Sequence, residues 1–235
     1  MASDEEASPV LRAKRIAKKE AERLSGAQDV LCVLLRGSLF RGRLARGCDI
    51  DLVLITRATR KKEIIHSDGF DIDCRYYPLD SVASGVQDGD VQMIEHVMNS
   101  EFLAGDSDVH TKLRKIIDEA PFRQLSIRFL GRATHRMNDA QDEIEYGDHE
   151  AAVMTAREAM TLLANAILLR NHIVCTKDKY LVKEVRKLSS QFPEFVERFF
   201  TIHGLVQSGV KADDLILEVA ASYMTVERYL RESSP

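Results

Sequence analysis

The stretch LLRGSLFRGRLARGCDIDLVLIT, residues 34–56, begins and ends as an apolar run and carries its polar residues in between. Gly37 and Ser38 follow the first run, and Asp49 and Asp51 open the second. Apolar runs of this length, rich in branched residues, predict buried strands. Residues two apart on a strand point to the same face, so the two carboxylates project together. Like charges this close are unfavourable unless they are offset, so we expect a cation here, either a metal ion or an arginine.

The surrounding sequence predicts a small sheet. Residues 29–37 and 49–56 are typical of buried strands, with a short helix after the first. The segment EIIHSDGFDIDCRYYP, residues 63–78, contains two alternating runs joined at Asp68 and Gly69. Asp-Gly between alternating runs is a strong hairpin signal. These elements together predict a twisted sheet with helices around it, and so an α/β or α+β fold.

The predicted hairpin carries further carboxylates on one face. Asp71, Asp73 and Arg75 alternate along its second strand and therefore project together. If this strand lies beside the strand at 49–56, carboxylates from both converge at one rim of the sheet. Such oxygen ligands suit Mg²⁺, which takes few protein carboxylates and completes its octahedron with phosphates and water. The residues leave open whether Asp71 or Asp73 is the third carboxylate.

A candidate phosphate-binding set lies in the same stretch. Gly37 and Ser38 follow a strand and open a helix, so backbone N–H groups and a hydroxyl would face an anionic ligand. The arginines that follow have no acidic residue among them and could neutralise a triphosphate; they are Arg41, Arg43 and Arg46. Carboxylates, a glycine-serine turn and arginines together indicate metal-assisted nucleotidyl transfer.

This pattern resembles the signature of the nucleotidyltransferase superfamily named for DNA polymerase β. The likeness is carried by Gly-Ser at 37–38, a gap of ten residues, and Asp-Ile-Asp-Leu at 49–52. The segment DIDCRYY, residues 71–77, resembles the strand that supplies the third carboxylate of that family. We match that role to Asp73, with Asp71 as the close second.

The resemblance implies a site, a cofactor and a co-substrate. Two Mg²⁺ ions are the implied cofactors, and a nucleoside triphosphate, with ATP expected, is the co-substrate. The implied catalytic and metal-binding residues are Asp49, Asp51 and Asp73. The implied phosphate-binding residues are Gly37, Ser38, Arg41 and Arg46. Cys48 stands where the family usually has serine, at a position that does not coordinate metal.

The second half of the chain is predicted to be helical. Beyond Pro121 come long amphipathic segments with short connections, typical of a bundle; they are 122–146, 149–171, 178–190, 193–206 and 211–231. The sequence therefore predicts an α+β protein. We expect a small mixed β-sheet nucleotidyltransferase catalytic domain at 1–120 and an α-helical bundle domain at 121–235.

The helical half resembles, more weakly, the kanamycin nucleotidyltransferase-like branch. The segment at 151–173, followed by KDKYLVKEVRKL at 177–188, looks like its central helices. That branch implies transfer of AMP to a hydroxyl of a small molecule such as an aminoglycoside-type antibiotic, with release of pyrophosphate. Asp142, Glu143 and Glu145 could attract a polycationic acceptor, although such acidic stretches are more often solvated helix faces.

Two alternative functions follow from the same resemblance. One is protein AMPylation, because related nucleotidyltransferases act as antitoxins that modify a helical toxin partner; those enzymes are usually short, whereas here the helical half belongs to the same chain. The other is a non-catalytic nucleotide-binding regulatory protein that keeps the fold. The complete set of carboxylates argues against that second alternative.

Composition excludes other classes. With a net charge of -4, 6% aromatic residues and no Trp, the chain has neither a basic field nor a stacking platform for nucleic acid. The four cysteines are dispersed, typical of reduced thiols. The N-terminus does not resemble a signal peptide, and no apolar run approaches the ~20 residues that span a bilayer. We therefore expect a cytoplasmic protein without a membrane partner, whose apolar bundle could support a homodimer.

Overall fold

The computed structural model describes residues 8–44, 49–204 and 212–232. The chain forms two compact units, Met1–Ala120 and Pro121–Pro235. The described part of the first unit holds a five-stranded mixed sheet with helices, and that of the second holds helices. The predicted α+β fold is therefore confirmed. The assignment of these units as a catalytic domain and a bundle domain stays a prediction.

Five strands form the sheet of the first unit. They are β1 (Val30–Arg36), β2 (Ile50–Thr56), β3 (Glu63–Ser67), β4 (Phe70–Pro78) and β5 (Glu101–Gly105). Their spatial order is β3-β4-β2-β1-β5. The β2–β4 pair is parallel, and the other three pairs are antiparallel. The two apolar runs of the opening stretch thus become the central neighbours β1 and β2.

The hairpin between β3 and β4 forms where the sequence predicts it. Asp68 and Gly69 both have positive φ, 48° and 84°. A two-residue turn of this kind needs positive φ at both positions, which Asp tolerates and Gly adopts freely. The turn fixes the register of the hairpin and so determines which β4 residues share a face with which β3 residues.

The described part of the first unit contains five helices. They are α1 (Pro9–Ser25), α2 (Gly37–Phe40), α3 (Leu79–Asp88), α4 (Val91–Met98) and α5 (Ser107–Asp118). Asp90 and Asp106 cap α4 and α5, since each side chain accepts hydrogen bonds from two backbone N–H groups of the first turn. The core lies between α1 and the sheet and is built from apolar side chains of both.

The helices of the second unit share one core. They are α6 (Phe122–Glu145), α7 (His149–Arg170), α8 (Asp178–Lys187), α9 (Pro193–Gly204) and α10 (Ala212–Glu232), with one 3₁₀ turn at Leu188–Ser190 after α8. The helix α7 is central and packs against the other four. It supplies more buried side chains to this core than any other described helix.

The helix α7 is also long and apolar enough to cross a membrane by length and composition alone. Among the described residues it is the one helix that passes this test, so the expectation that no apolar segment approaches that length does not hold for it. Of its most apolar window, 61% is buried inside the structure. Burial of this kind is typical of the core helix of a globular protein.

Candidate functional site

A row of charged side chains crosses the three central strands of the sheet. Arg36 lies opposite Asp51 in the antiparallel β1–β2 pair. Asp51 in turn lies opposite Asp73 in the parallel β2–β4 pair. Directly opposite residues of neighbouring strands point to the same face, so all three side chains share one face. The structure thereby brings together carboxylates that are 22 residues apart in the sequence.

The other two aspartates of the predicted set lie at the margin of this row. Asp49 is exposed and immediately precedes β2. Asp71 is exposed on β4 and lies opposite His66 of β3, whose Nδ1 is 2.5 Å from its Oδ1. Asp71 therefore pairs with a residue of the neighbouring hairpin strand, whereas Asp73 lies next to Asp51. The role of Asp73 as the third carboxylate stays a prediction.

Asp73 is buried, and its two carboxylate oxygens differ in their partners. Its side chain is next to two cations, with Oδ2 lying 2.9 Å from Lys62 Nζ and 3.4 Å from Arg75 Nη2. Its Oδ1 is buried and has no hydrogen-bond partner. A buried acceptor without a donor costs about 1–3 kcal/mol. The residue therefore carries an unused acceptor oxygen in the site.

Arg75 keeps its positive charge beside Asp73. Burial acts to lower the pKa of Arg75, but the Asp73 carboxylate acts in the opposite direction and the pKa is raised above its ordinary value. Arg75 was placed on the face of Asp73 by strand alternation alone. Lys62 was missed, because its contact depends on how the loop before β3 folds back; the only signal is the basic run that precedes the hairpin.

Arg36 is the second residue whose role the sequence did not reveal. It is 6% exposed, and its Nη1 is buried without a hydrogen-bond partner. A guanidinium is always charged in a protein, so Arg36 places a fixed positive charge in the row beside Asp51. Its position at the end of an apolar run gave no indication that the side chain would lie inside.

Gly37 makes the closest backbone approach in the site. Its φ is +77°, and a Cβ built on it would lie 2.0 Å from Asp51 Oδ2. Only glycine leaves room for the carboxylate at this distance while adopting this φ without strain. Ser38 follows at the start of α2 and is partly exposed. The predicted Gly-Ser turn and the predicted carboxylate are therefore in contact.

One of the two predicted phosphate-binding arginines, Arg41, lies among the described residues and is near an acidic side chain. Arg41 Nη2 lies 3.9 Å from Oε1 of Glu95, a buried residue of α4, so its charge is partly offset. Arg46 and Cys48 lie outside the described residues. A phosphate-binding role of Arg41 and Arg46 stays a prediction.

The acidic segment at the end of α6 does not act as one cluster. Asp142 and Glu145 are exposed. Glu143 instead turns inward, where its Oε1 accepts a hydrogen bond of 3.1 Å from Thr155 of α7 and its Oε2 is buried without a partner. At least one of the three predicted acceptor-attracting residues is therefore engaged inside the helical unit.

The residues present fit a Mg²⁺ site in which a bound phosphate group and water would supply the remaining coordination. Among the described residues, no group of three or more His, Cys, Asp and Glu side chains is arranged to hold a metal ion alone. Mg²⁺ is commonly bound through one or two carboxylates, with phosphate oxygens and water in its other positions. Asp51 and Asp73, in register and with Asp73 Oδ1 unpartnered, match that smaller set.

The thiols of the sheet are not candidates for nucleophilic chemistry. Cys32 and Cys74 are fully buried in β1 and β4. Burial raises the pKa of each to about 12. Because the thiolate is the reactive form, both cysteines are structural.

Comparison with solved structures supports the fold assignment. The chain is similar to a nucleotidyltransferase-like protein from Exiguobacterium sibiricum 255-15, with a TM-score of 0.56 and 14% sequence identity. The match covers 93% of this chain and 74% of that protein. No protein-family model matches the sequence, and a search of curated proteins found no match. The chain thus has a nucleotidyltransferase-like fold.

Proposed function

We propose that this protein is a nucleotidyltransferase that moves a nucleoside monophosphate, AMP from ATP, to a hydroxyl of a small molecule and releases pyrophosphate. The fold supports the general kind of reaction. The observation that carries the proposal is the register of Asp51 and Asp73 on adjacent parallel strands, with Gly37 packed against Asp51.

The chemistry needs a base for the acceptor hydroxyl. Its oxygen forms a bond to the α-phosphorus, the bond from that phosphorus to the β-bridging oxygen breaks, and pyrophosphate leaves. The hydroxyl proton passes to the Asp73 carboxylate, whose Oδ1 is buried and has no other hydrogen-bond partner. Asp49 and Asp51 would hold both Mg²⁺ ions, and Asp73 would complete the second. Bound Mg²⁺ supplies charge neutralisation at the phosphates.

The triphosphate would lie over the turn after β1. Gly37 gives the backbone close access and Ser38 adds a hydroxyl, while Arg41 and Arg46 add positive charge. Arg36 adds a further fixed charge from inside the sheet, at the end of the strand that leads into the turn. Three of these five groups come from consecutive residues, 36–38, so one short segment would hold much of the anion.

The proposed acceptor rests on the weaker resemblance of the helical half to the kanamycin nucleotidyltransferase-like branch. We propose an aminoglycoside-type antibiotic or a similar hydroxyl-bearing small molecule. A second candidate is a nucleotide-binding regulatory protein. It is favoured by the ion pairs of Asp73 with Lys62 and Arg75, which neutralise the carboxylate without a metal ion.

Calorimetric titration with non-hydrolysable ATP, GTP, CTP and UTP analogues tests the site. We expect one triphosphate to bind in Mg²⁺ and not in EDTA, and binding to be lost in Asp51→Asn. Asp118→Asn is the matched control, because Asp118 is exposed at the end of α5, away from the sheet site. Absence of binding in every condition, or equal binding by Asp51→Asn, would refute the proposed site.

A pyrophosphate-release assay then separates the two candidates. Release on addition of ATP with an aminoglycoside mixture supports transfer to a small molecule. Triphosphate binding without release for any acceptor offered favours the regulatory protein.

A further inference from the structure

The helical unit contains a cavity of about 420 Å³, none of whose described lining residues belongs to the sheet site. It is lined by side chains of α6, α7, α8 and α9, all from the second unit. Its volume is within the range of ~300–1,000 Å³ that is typical of small-molecule sites. The cavity is large enough for a ligand of single-ring size.

Three arginines line the cavity. Arg132 and Arg136 lie one turn apart on α6, and Arg157 faces them from α7. The acidic residues of the lining are Glu158 and Asp178. Asp139, which is not part of the lining, also pairs with Arg136, so three carboxylates balance the three arginines and the preference for an anion depends on which arginine lacks an acidic partner.

The arginines differ in how far they are already engaged. Arg157 donates to the carbonyl oxygens of Ile202 at 3.2 Å and His203 at 2.9 Å, which fixes it at the end of α9. Arg136 is paired with two carboxylates, Glu158 at 3.0 Å and Asp139 at 3.1 Å. Arg132 makes no ion pair or hydrogen bond to a described residue, and its guanidinium lies 5.3 Å from the centroid of the Phe129 ring. Arg132 is therefore the cation most available to a ligand.

The opposite wall is flat and fixed. The His203 ring stacks on Phe199 with 4.1 Å between ring centroids. Its Nδ1 lies 2.8 Å from the Phe199 carbonyl oxygen and donates to it, and its Nε2 lies 3.2 Å from Thr161 Oγ1, whose hydroxyl donates. These two hydrogen bonds describe a neutral imidazole held in one tautomer. Leu162 and Leu181 complete an apolar surface beside it.

We propose that this cavity binds a small molecule that carries a carboxylate or phosphate monoester on an apolar or aromatic body. The anionic group pairs with Arg132, and the body packs against Leu162, Leu181 and the Phe199–His203 stack. The proposal does not depend on the nucleotidyltransferase reaction. It also assigns the cavity a ligand of opposite charge to an aminoglycoside.

Four small aromatic probes that differ in charge test the preference for an anion. Phenyl phosphate and phenylacetate carry the two anionic groups, benzyl alcohol is the neutral probe, and benzylamine is the cationic probe. Each is titrated into the full chain in EDTA, by ligand-observed NMR. We expect binding of at least one anion with a Kd of about 1 mM or tighter, and markedly weaker binding of the other two probes. The stronger anion identifies whether the natural ligand is a carboxylate or a phosphate.

Two variants locate the binding, and two controls test its independence. Arg132→Gln is expected to weaken the anion about tenfold, as loss of one charge-assisted pair should. Val182→Trp, at the rim of the cavity, is expected to abolish binding by filling it. Arg231→Gln, an exposed residue of α10 outside the cavity, and Asp51→Asn, in the sheet site, should leave binding unchanged.

Several outcomes would overturn the proposal. They are equal affinity for the neutral and anionic probes, undiminished binding in both cavity variants, and no binding of either anion. Loss of anion binding in Asp51→Asn would instead show that the probe occupies the sheet site.

Discussion

Gly37 and Asp51 pack so closely that a Cβ on Gly37 would lie 2.0 Å from Asp51 Oδ2 and 3.2 Å from Asp51 Cβ. The turn after β1 thus packs directly against the first carboxylate of β2, although Gly37 and Asp51 are 14 residues apart in the sequence. This contact gives a physical reason for glycine at the start of the motif. A side chain there would displace the carboxylate as well as strain the backbone.

The first prediction compares alanine at two glycines of similar φ. Gly37→Ala and Gly69→Ala both place alanine at positive φ, +77° and +84°, but nothing lies within 4 Å of a Cβ at Gly69. Each should lower the free energy of unfolding by about 1–2 kcal/mol through backbone strain. Only Gly37→Ala should also lose triphosphate binding, because Asp51 must rotate away. Urea denaturation and calorimetric titration measure the two effects; undiminished binding by Gly37→Ala would show that Asp51 is not needed at its present position.

The fold was largely predictable because its signals are local. The Asp68-Gly69 turn and the alternation on either side of it determine the hairpin, and β1 and β2 follow from apolar runs. No helix was predicted at α3, because it spans only ten residues between Pro78 and the left-handed Gly89, too short for a clear periodic pattern.

The candidate site was predictable only in part, because some of its contacts are long-range. Spacing identified Gly37 and Asp51, and alternation reduced the third carboxylate to Asp71 or Asp73. The family resemblance favoured Asp73, but that Asp73 lies beside Asp51 depends on the β2–β4 register, which no local pattern specifies. The burial of Arg36 and the ion pair of Lys62 are likewise tertiary consequences.

The second prediction separates the two candidate third carboxylates. Asp73→Asn should lower the rate of nucleotidyl transfer by a factor of about 10²–10⁴, because it removes the proposed base. Asp71→Asn should leave the rate within a few-fold, because Asp71 is exposed and pairs with His66. Pyrophosphate release measures both rates, and circular dichroism checks that each variant is folded. The reverse ranking would transfer the role to Asp71.

The third prediction concerns Lys62. Its ion pair with Asp73 opposes metal binding, but its side chain is 53% exposed, so the pair is worth only ~0–1 kcal/mol. Lys62→Gln should therefore raise the affinity for Mg²⁺ by up to about fivefold at low ionic strength. Calorimetric titration of Mg²⁺ with a bound triphosphate analogue measures this change. Lys61→Gln makes the same change in charge beside it and should have little effect; a fall in affinity in Lys62→Gln would mean that Lys62 binds the phosphates.

The fourth prediction follows from the ionisation of His203. Burial lowers the pKa of His203 below its ordinary value of 6.5; the hydrogen bond to the Phe199 carbonyl and the Asp178 charge act in the opposite direction, and Arg157 adds to the lowering. Between the two pKa values the unfolded chain therefore binds more protons than the folded chain. Linkage then requires the stability contributed by neutral His203 to be fully present above pH 6.5 and to be lost as the pH falls through the folded pKa.

Urea denaturation at several pH values between 5 and 7.5 would measure this dependence. We expect the free energy of unfolding to rise with pH up to about 6.5 in the wild type, and the slope to be smaller in His203→Asn. The absolute stability of the variant will also fall, because the stack on Phe199 is lost, so the slope is the informative quantity. His135→Asn, at an exposed position of α6, serves as the matched control and should keep the wild-type slope. An unchanged slope in His203→Asn would show that the imidazole is not held neutral by its surroundings.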